Sequence, residues 1–362
     1  MLTEKELSRL FALGFPLELY SQAEDPALAG FLPARVIREH RERYIVSDGA
    51  MEYEAEITGN LRYSATSRAG FPAVGDWVLI RTYDNDQAII HRVLPRKSIL
   101  ARRAVGKYGE EQIIATNIDV AFIVQAINNN FSINRLERYL AICHSSGIEP
   151  VLIISKTDLS SDEKIGTAVS AIEKREKELK YLLLSNVNLN GLDRIMEFIR
   201  KGKTYCVVGS SGVGKSTLIN NLMKKDILKT GHISQSSGKG RHMTEHRELI
   251  VLENGGIIID NPGMKELGMT EDEEGINTTF HAITDLEREC RYMDCKHINE
   301  SGCAVIEAVK NGLLNKGAYD NYLKMHKEQQ RFQASAAEKH KKDRAFGKML
   351  KNYHKDLNKN QE

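Results

Sequence analysis

Apolar and polar positions change rhythm three times along the chain. Over residues 1–30, Leu2, Leu7, Leu10 and Phe11 fall at helical spacing and predict a short N-terminal extension. From Phe31 to about Leu94, short β-prone runs take over: RVIREHRERYIVSDG, EYEAEITGN, DWVLIRTYD and QAIIHRVLP, parted by Gly, Asn and Asp. About five strands in such a stretch suit a small closed barrel, so residues 31–98 are expected to form an OB-fold. Trp77, the only tryptophan, is expected in the barrel core rather than as a platform for stacked bases.

Between Ile113 and Gly268 the pattern alternates between strand and helix. DVAFIVQAI (119–127), PVLIIS (150–155), LKYLLLS (179–185), KTYCVVGS (203–210) and GGIIID (255–260) read as buried parallel strands. Helical patterns fall between them at Asn134–His144, Glu163–Glu178 and Gly191–Ile199. This alternation predicts a layered α/β domain over residues 113–268. A cysteine-rich segment (about 285–305) and a charged helical stretch follow, placing a third domain at 280–362. The expected fold is therefore multidomain α/β.

The strongest motif is Gly209-Ser210-Ser211-Gly212-Val213-Gly214-Lys215-Ser216, a G-x-x-x-x-G-K-[ST] phosphate loop between a predicted strand and a predicted helix. Its glycines let backbone N–H groups surround phosphates, and the helix N-terminus favours anionic oxygens. Lys215 would pair with β- and γ-phosphate oxygens, Ser216 would ligate Mg²⁺, and Thr217 follows in the same helical turn. Ser155-Lys156-Thr157-Asp158, at the end of the strand PVLIIS, is similar to the N-K-x-D guanine motif of GTPases. An Asp carboxylate there accepts two hydrogen bonds from guanine that adenine does not offer. Ser155 stands where Asn is usual. A second guanine-contacting loop is expected at Ser185-Asn186, after the next strand.

Beyond the phosphate loop, Thr244 in SGKGRHMTEHREL would ligate Mg²⁺ and sense the γ-phosphate. Asp260-Asn261-Pro262-Gly263 fits the D-x-x-G switch, with Asp260 near Mg²⁺ and the Gly263 N–H at the γ-phosphate. The guanine motif thus precedes the phosphate loop and the switches come last, a circularly permuted order. A parallel sheet still assembles the same site, because its strand ends meet wherever the chain is cut.

Cys290, Cys295, His297 and Cys303 offer three thiolates and one imidazole within fourteen residues. A full set of four protein ligands is that of a structural Zn²⁺. Three cysteines cannot all pair as disulfides. Cys143 and Cys206 lie in apolar stretches and read as buried core thiols.

These residues, together with PAVGDWV (72–78) and GRHMT (240–244), resemble the circularly permuted ribosome small-subunit-dependent GTPase A family (RsgA/YjeQ) over residues 30 to 310. The resemblance implies an N-terminal OB-fold, a central GTPase and a C-terminal zinc domain, bound to GTP or GDP with Mg²⁺ and one zinc. It implies a GTP hydrolase acting in late maturation of the small ribosomal subunit, with that subunit and its rRNA as partners; the chain is expected to be cytoplasmic and monomeric. Met243 stands where the family commonly has Thr.

Many GTPases orient the attacking water with a Gln after D-x-x-G. Here that place is Met264, which can neither donate nor accept a useful hydrogen bond, and His242 is the expected catalytic residue alongside Lys215. An exposed loop histidine without a catalytic role is the other reading. An RNA-binding scaffold in which GTP is a structural ligand is the competing function.

Charged residues make up 28 % of the 362 and net charge is only +2, which excludes no partner by itself. From Lys339 the tail has eight Lys or Arg against three acidic residues, which suits either a solvated helix face or phosphate-backbone contact. No run approaches the length of a membrane span, and MLTEKELSRLFALGF lacks the pattern of a secretory signal.

Overall fold

The computed structural model describes residues 2–20, 30–40, 43–65, 68–83, 85–103, 111–128, 131–224, 247–260 and 273–331. The first β-prone run divides into β1 (Leu32–His40) and β2 (Arg43–Ser47). With β3 (Glu52–Ile57), β4 (Trp77–Thr82) and β5 (Gln87–Val93) they close a five-stranded barrel in the order β1-β2-β3-β5-β4, completed by β4 pairing with β1. Alternation drives it. In β3 the residues Tyr53, Ala55 and Ile57 face inward while the glutamates between them face water.

Trp77 is fully buried, which removes it as a platform for bases, but it lies outside the barrel lumen. It packs with Leu10, Leu13, Phe15, Leu19, Leu79 and Leu94, the apolar face of the N-terminal segment covering the barrel's outer wall. The helix α1 (Glu4–Ala12) there opens on a capping box between Thr3 and Glu6. The Phe15 ring meets Trp77 edge-on at 4.7 Å.

A six-stranded sheet follows in the order β10-β9-β8-β11-β13-β12. Its strands are β8 (Val120–Ala126), β9 (Glu149–Ser155), β10 (Tyr181–Leu184), β11 (Thr204–Val208), β12 (Glu248–Val251) and β13 (Ile257–Asp260). All are parallel except β12, which pairs with β13 as an antiparallel hairpin. The central strands β8, β11 and β13 are buried along their whole length, as strands covered by helices on both faces must be. The pattern had not marked β12. It joins the sheet to the barrel through one pairing, Arg38 with Glu248. A further hairpin, β6 (Ile99–Arg103) with β7 (Glu111–Thr116), lies in sequence between barrel and sheet.

Helix α3 (Ile133–Ser145) packs on one face of the sheet. On the other face lie α5 (Leu192–Phe198) and α6 (Lys215–Met223). The helix expected to Glu178 is shorter: α4 (Asp162–Glu173) gives way at its end to a tighter turn in which the Arg175 N–H bonds Ile172 O, three residues back. That turn carries the Arg175 guanidinium inward onto buried Glu137. The C-terminal region comprises α7 (Glu274–Thr279), α8 (His281–Glu287), the cysteine segment, α9 (Ala304–Lys310) and α10 (residues 316–331). Between residues 59 and 64 a short α2 (Gly59–Ser64) links barrel strands.

Arg35 of β1 joins three parts of the molecule. Its buried guanidinium donates to Leu13 O, to Gly75 O at 3.2 Å and to Thr204 Oγ1 at 2.9 Å. Burial pulls its pKa down to about 10, so it remains cationic at neutral pH.

Candidate nucleotide site and metal cluster

Because β8, β9, β10, β11 and β13 run parallel, their C-terminal ends lie side by side, where ligands bind in open α/β sheets. Ser155 ends β9, Ser185 and Asn186 follow β10, the loop Gly209–Gly214 follows β11, and Asp260 ends β13. Loops far apart in sequence therefore meet at one edge, in permuted order.

The phosphate loop lies close against its neighbours. Gly209 has φ +144°, and a Cβ there would run into the Val124 carbonyl. Gly214 has φ +100°, and its Cβ would meet Asn186 Nδ2 at 2.6 Å. Neither place tolerates a side chain. The Lys215 ammonium donates to Gly209 O and Ser210 O, each at 2.7 Å, which seats it over the loop. Ser216 and Thr217 occupy the first turn of α6, whose N-terminus adds a favourable field for anions.

Ser155 is wholly buried, and its hydroxyl donates to Val213 O at 2.7 Å. It acts as a tie between β9 and the phosphate loop. Lys156 turns the chain in the left-handed region (φ +61°), and a single 3₁₀ turn over Thr157–Leu159 presents Asp158. The Asp158 carboxylate accepts from buried Ser185 Oγ at 2.6 Å. A carboxylate has about four acceptor positions, so this bond orients Asp158 and leaves capacity for two donors of a base. Asn186 Nδ2 donates to Gly214 O at 3.1 Å, while Asn221 of α6 donates to Asn186 O and Oδ1 at 3.3 Å. The second guanine-type loop is thereby fastened to the phosphate loop. Asp260 is nearly buried at the end of β13. His242, Met243, Thr244, Gly263 and Met264 lie outside the described residues.

Sequence reading missed three supporting side chains. Arg135 Nη1 donates to Ser210 Oγ at 3.0 Å, and Tyr139 lies beside that hydroxyl. Gln125 pairs with the Ser132 backbone at the start of α3 (3.1 and 3.3 Å). Gln125 had a usable signal: it is the one uncharged polar side chain inside an otherwise apolar buried strand.

At the other site, the donor atoms of Cys290, Cys295, His297 and Cys303 all lie within 4.8 Å of one another. His297 Nδ1 is 3.7 Å from the Cys290 sulfur and 3.4 Å from the Cys303 sulfur. Its Nε2 meets Glu287 Oε1 at 3.0 Å, and Tyr322 OH donates to that same oxygen. A carboxylate behind an imidazole fixes the tautomer and turns the other nitrogen toward a metal. Three thiols and one such imidazole, with no fifth donor among the described residues, make a set compatible with a metal ion, tetrahedral zinc in particular. Cys143 and Cys206 are buried in the core, where loss of water pushes the Cys143 thiol up to about 12.

The sequence model described as RsgA GTPase matches residues 93–270, and one for ABC transporters matches residues 192–353. Relatives that span the chain decide between them. Small ribosomal subunit biogenesis GTPase RsgA 1 of Bacteroides thetaiotaomicron is 38 % identical over 95 % of this chain and 96 % of its own. RsgA 2 of Lactiplantibacillus plantarum is 40 % identical over 90 % and 94 %. In fold, YjeQ from Thermotoga maritima superposes with a TM-score of 0.62 at 23 % identity, over 83 % of this chain and 98 % of that one. The circularly permuted GTPase YloQ gives 0.61 at 23 %, over 85 % and 99 %. With its nucleotide motifs in permuted order at one sheet edge and relatives this similar along nearly its whole length, the chain belongs to the RsgA GTPase family.

Proposed function

We propose that this GTPase binds the small ribosomal subunit and couples GTP hydrolysis to late maturation of that subunit and to its own release, in the cytoplasm. The names of the relatives supply the partner. The observation that carries the nucleotide part is the meeting of Asp158, Asn186, Gly209–Ser216 and Asp260 at adjoining strand ends. Lys215 and the loop amides hold the phosphates, Asp158 selects guanine with Lys156 and Thr157 beside it, and Ser185 and Asn186 close the base side. Ser216 and Thr244 hold Mg²⁺, with Asp260 and Gly263 as the second switch. Bound Mg²⁺ neutralises charge developing on the phosphates. His242 orients the water that Met264 has no group to hold. Cys290, Cys295, His297 and Cys303 hold one zinc ion with a structural role.

The test is GTP turnover by the full chain with and without purified small subunits. Turnover raised by the subunit, with co-sedimentation in a GTP analogue and release after hydrolysis, is expected. Subunit binding indifferent to nucleotide, with no stimulation, would replace this reading by a scaffold that uses GTP as a structural ligand.

A further inference from the structure

Helix α3 touches two regions that sequence places far apart. At its first turn Arg135 donates to Ser210 of the phosphate loop at 3.0 Å, with Tyr139, one turn on, beside the same hydroxyl. Three positions on, and so on the neighbouring strip of the helix surface, Arg138 forms a two-pronged pair with Glu328 of α10 at 2.8 and 2.6 Å. Buried Glu137 accepts from Asn321 of α10, and Asn321 also donates to Asn134 O at 3.2 Å. Further along, Gly275 of α7 sits so close that a Cβ would collide with Ala141 O and Ser145 Oγ. His144 and Thr279 are bonded beside it at 2.9 Å. Thirteen residues make a rod about 20 Å long, from the phosphate loop at one end to the C-terminal region along its length.

We propose that α3 couples the two: filling of the phosphate loop and seating of α10 on α3 favour each other, with Arg135 as the positioning residue. Ser210 belongs to the loop whose carbonyls seat Lys215, so phosphates that engage Lys215 shift the hydroxyl that Arg135 holds. Arg138 follows three positions later on the same rigid helix. A two-pronged Arg–carboxylate pair is sensitive to small displacements of its helix, because both bonds require a planar alignment. Such coupling is reciprocal: a change at Glu328 alters nucleotide affinity as much as nucleotide alters the seating of α10. The inference rests on the nucleotide-binding reading above.

The experiment measures affinity for a fluorescent GDP in the full chain, for the original protein, Glu328→Gln, Arg135→Ala and the double variant. Glu328→Gln keeps the side chain's shape and removes the charged fork. It is expected to weaken GDP binding by about five-fold or more, and the effect should vanish once Arg135 is Ala. In parallel, GDP should slow amide exchange in residues 316–331 of the original protein and not of Arg135→Ala. If Glu328→Gln unseats α10 outright, exchanging the pair as Arg138→Glu with Glu328→Arg should restore affinity. Unchanged GDP affinity in Glu328→Gln, or effects that simply add in the double variant, would overturn the coupling. Failure of the original protein to bind GDP would instead remove the nucleotide reading beneath it.

Discussion

The candidate nucleotide loops draw on four strand ends between residues 155 and 260, whereas the four candidate metal donors lie within fourteen consecutive residues. The loops are held by partners of their own. Ser155 bonds Val213, Ser185 bonds Asp158, Asn186 bonds Gly214, and Lys215 bonds the loop it closes over. Their shape belongs to the fold before any ligand arrives. The cysteine segment differs: its thiols face mainly one another and His297, and thiolates so close repel unless a cation lies between them. Protein partners thus hold the shape of one site, whereas the donor set of the other is compatible with a metal ion that would hold it together.

Removing the ion is the largest test of that contrast. Cys295→Ser or a strong chelator should unfold the segment around residues 290–303, read as new proteolytic cleavage there, while guanine-nucleotide binding persists. The protein as purified should hold about one zinc per chain by elemental analysis. Well-folded, zinc-free protein would break the comparison.

Next in size is the chemistry on the nucleotide side. His242→Ala should leave GTP affinity nearly intact and lower single-turnover cleavage by roughly 10²–10⁴ with subunits present. Lys215→Ala should impair both, since its charge meets the ground state as well. Cleavage at the original rate by His242→Ala would assign the water to another group.

Asp158→Asn should weaken GTP and GDP binding and improve relative acceptance of xanthine nucleotides, whose donor pattern suits an amide. Competition between the two bases measures it, and an unchanged guanine preference would take Asp158 out of the site.

Ser155→Ala sharpens the claim that the loop is supported from beneath. Val213 O would lose its donor inside the protein, at a cost of about 1–3 kcal/mol. Thermal stability and GTP affinity should fall while guanine selectivity stays. Loss of selectivity would mean that Ser155 touches the base.

The smallest effect concerns pH. Burial, with Glu137 nearby, pushes Glu176 up to about 8, above the 4.5 of a free glutamate. Between those values the folded protein holds a proton that the unfolded chain has lost, so this group makes stability fall as pH rises from 4.5 toward 8. Glu176→Gln should therefore flatten the decline, most visibly near pH 8, in melting curves compared with the original protein. Parallel curves would show that Glu176 titrates normally.

Much of this was legible along the chain. Full burial on two faces writes itself as unbroken apolar runs, and one-faced burial as alternation, so the parallel strands and the barrel strand Glu52–Ile57 could be read directly. The phosphate loop, the S-K-T-D turn, their permuted order and the spacing of Cys290, Cys295, His297 and Cys303 are likewise local, because glycine conformations and ligand spacings act over a few residues. What only the tertiary structure decided is who meets whom. Ser155 reads as a weakened base contact until Val213 is seen above it. Trp77 reads as lumen until α1 covers the outer wall. The helix after Ser161 reads through to Glu178 until buried Glu137 draws Arg175 inward at its end. Nothing in the sequence pairs Arg135 with Ser210 or Arg138 with Glu328, since hydrogen-bond partners 75 and 190 residues apart are chosen by the stacking of strands and helices and leave no periodic trace.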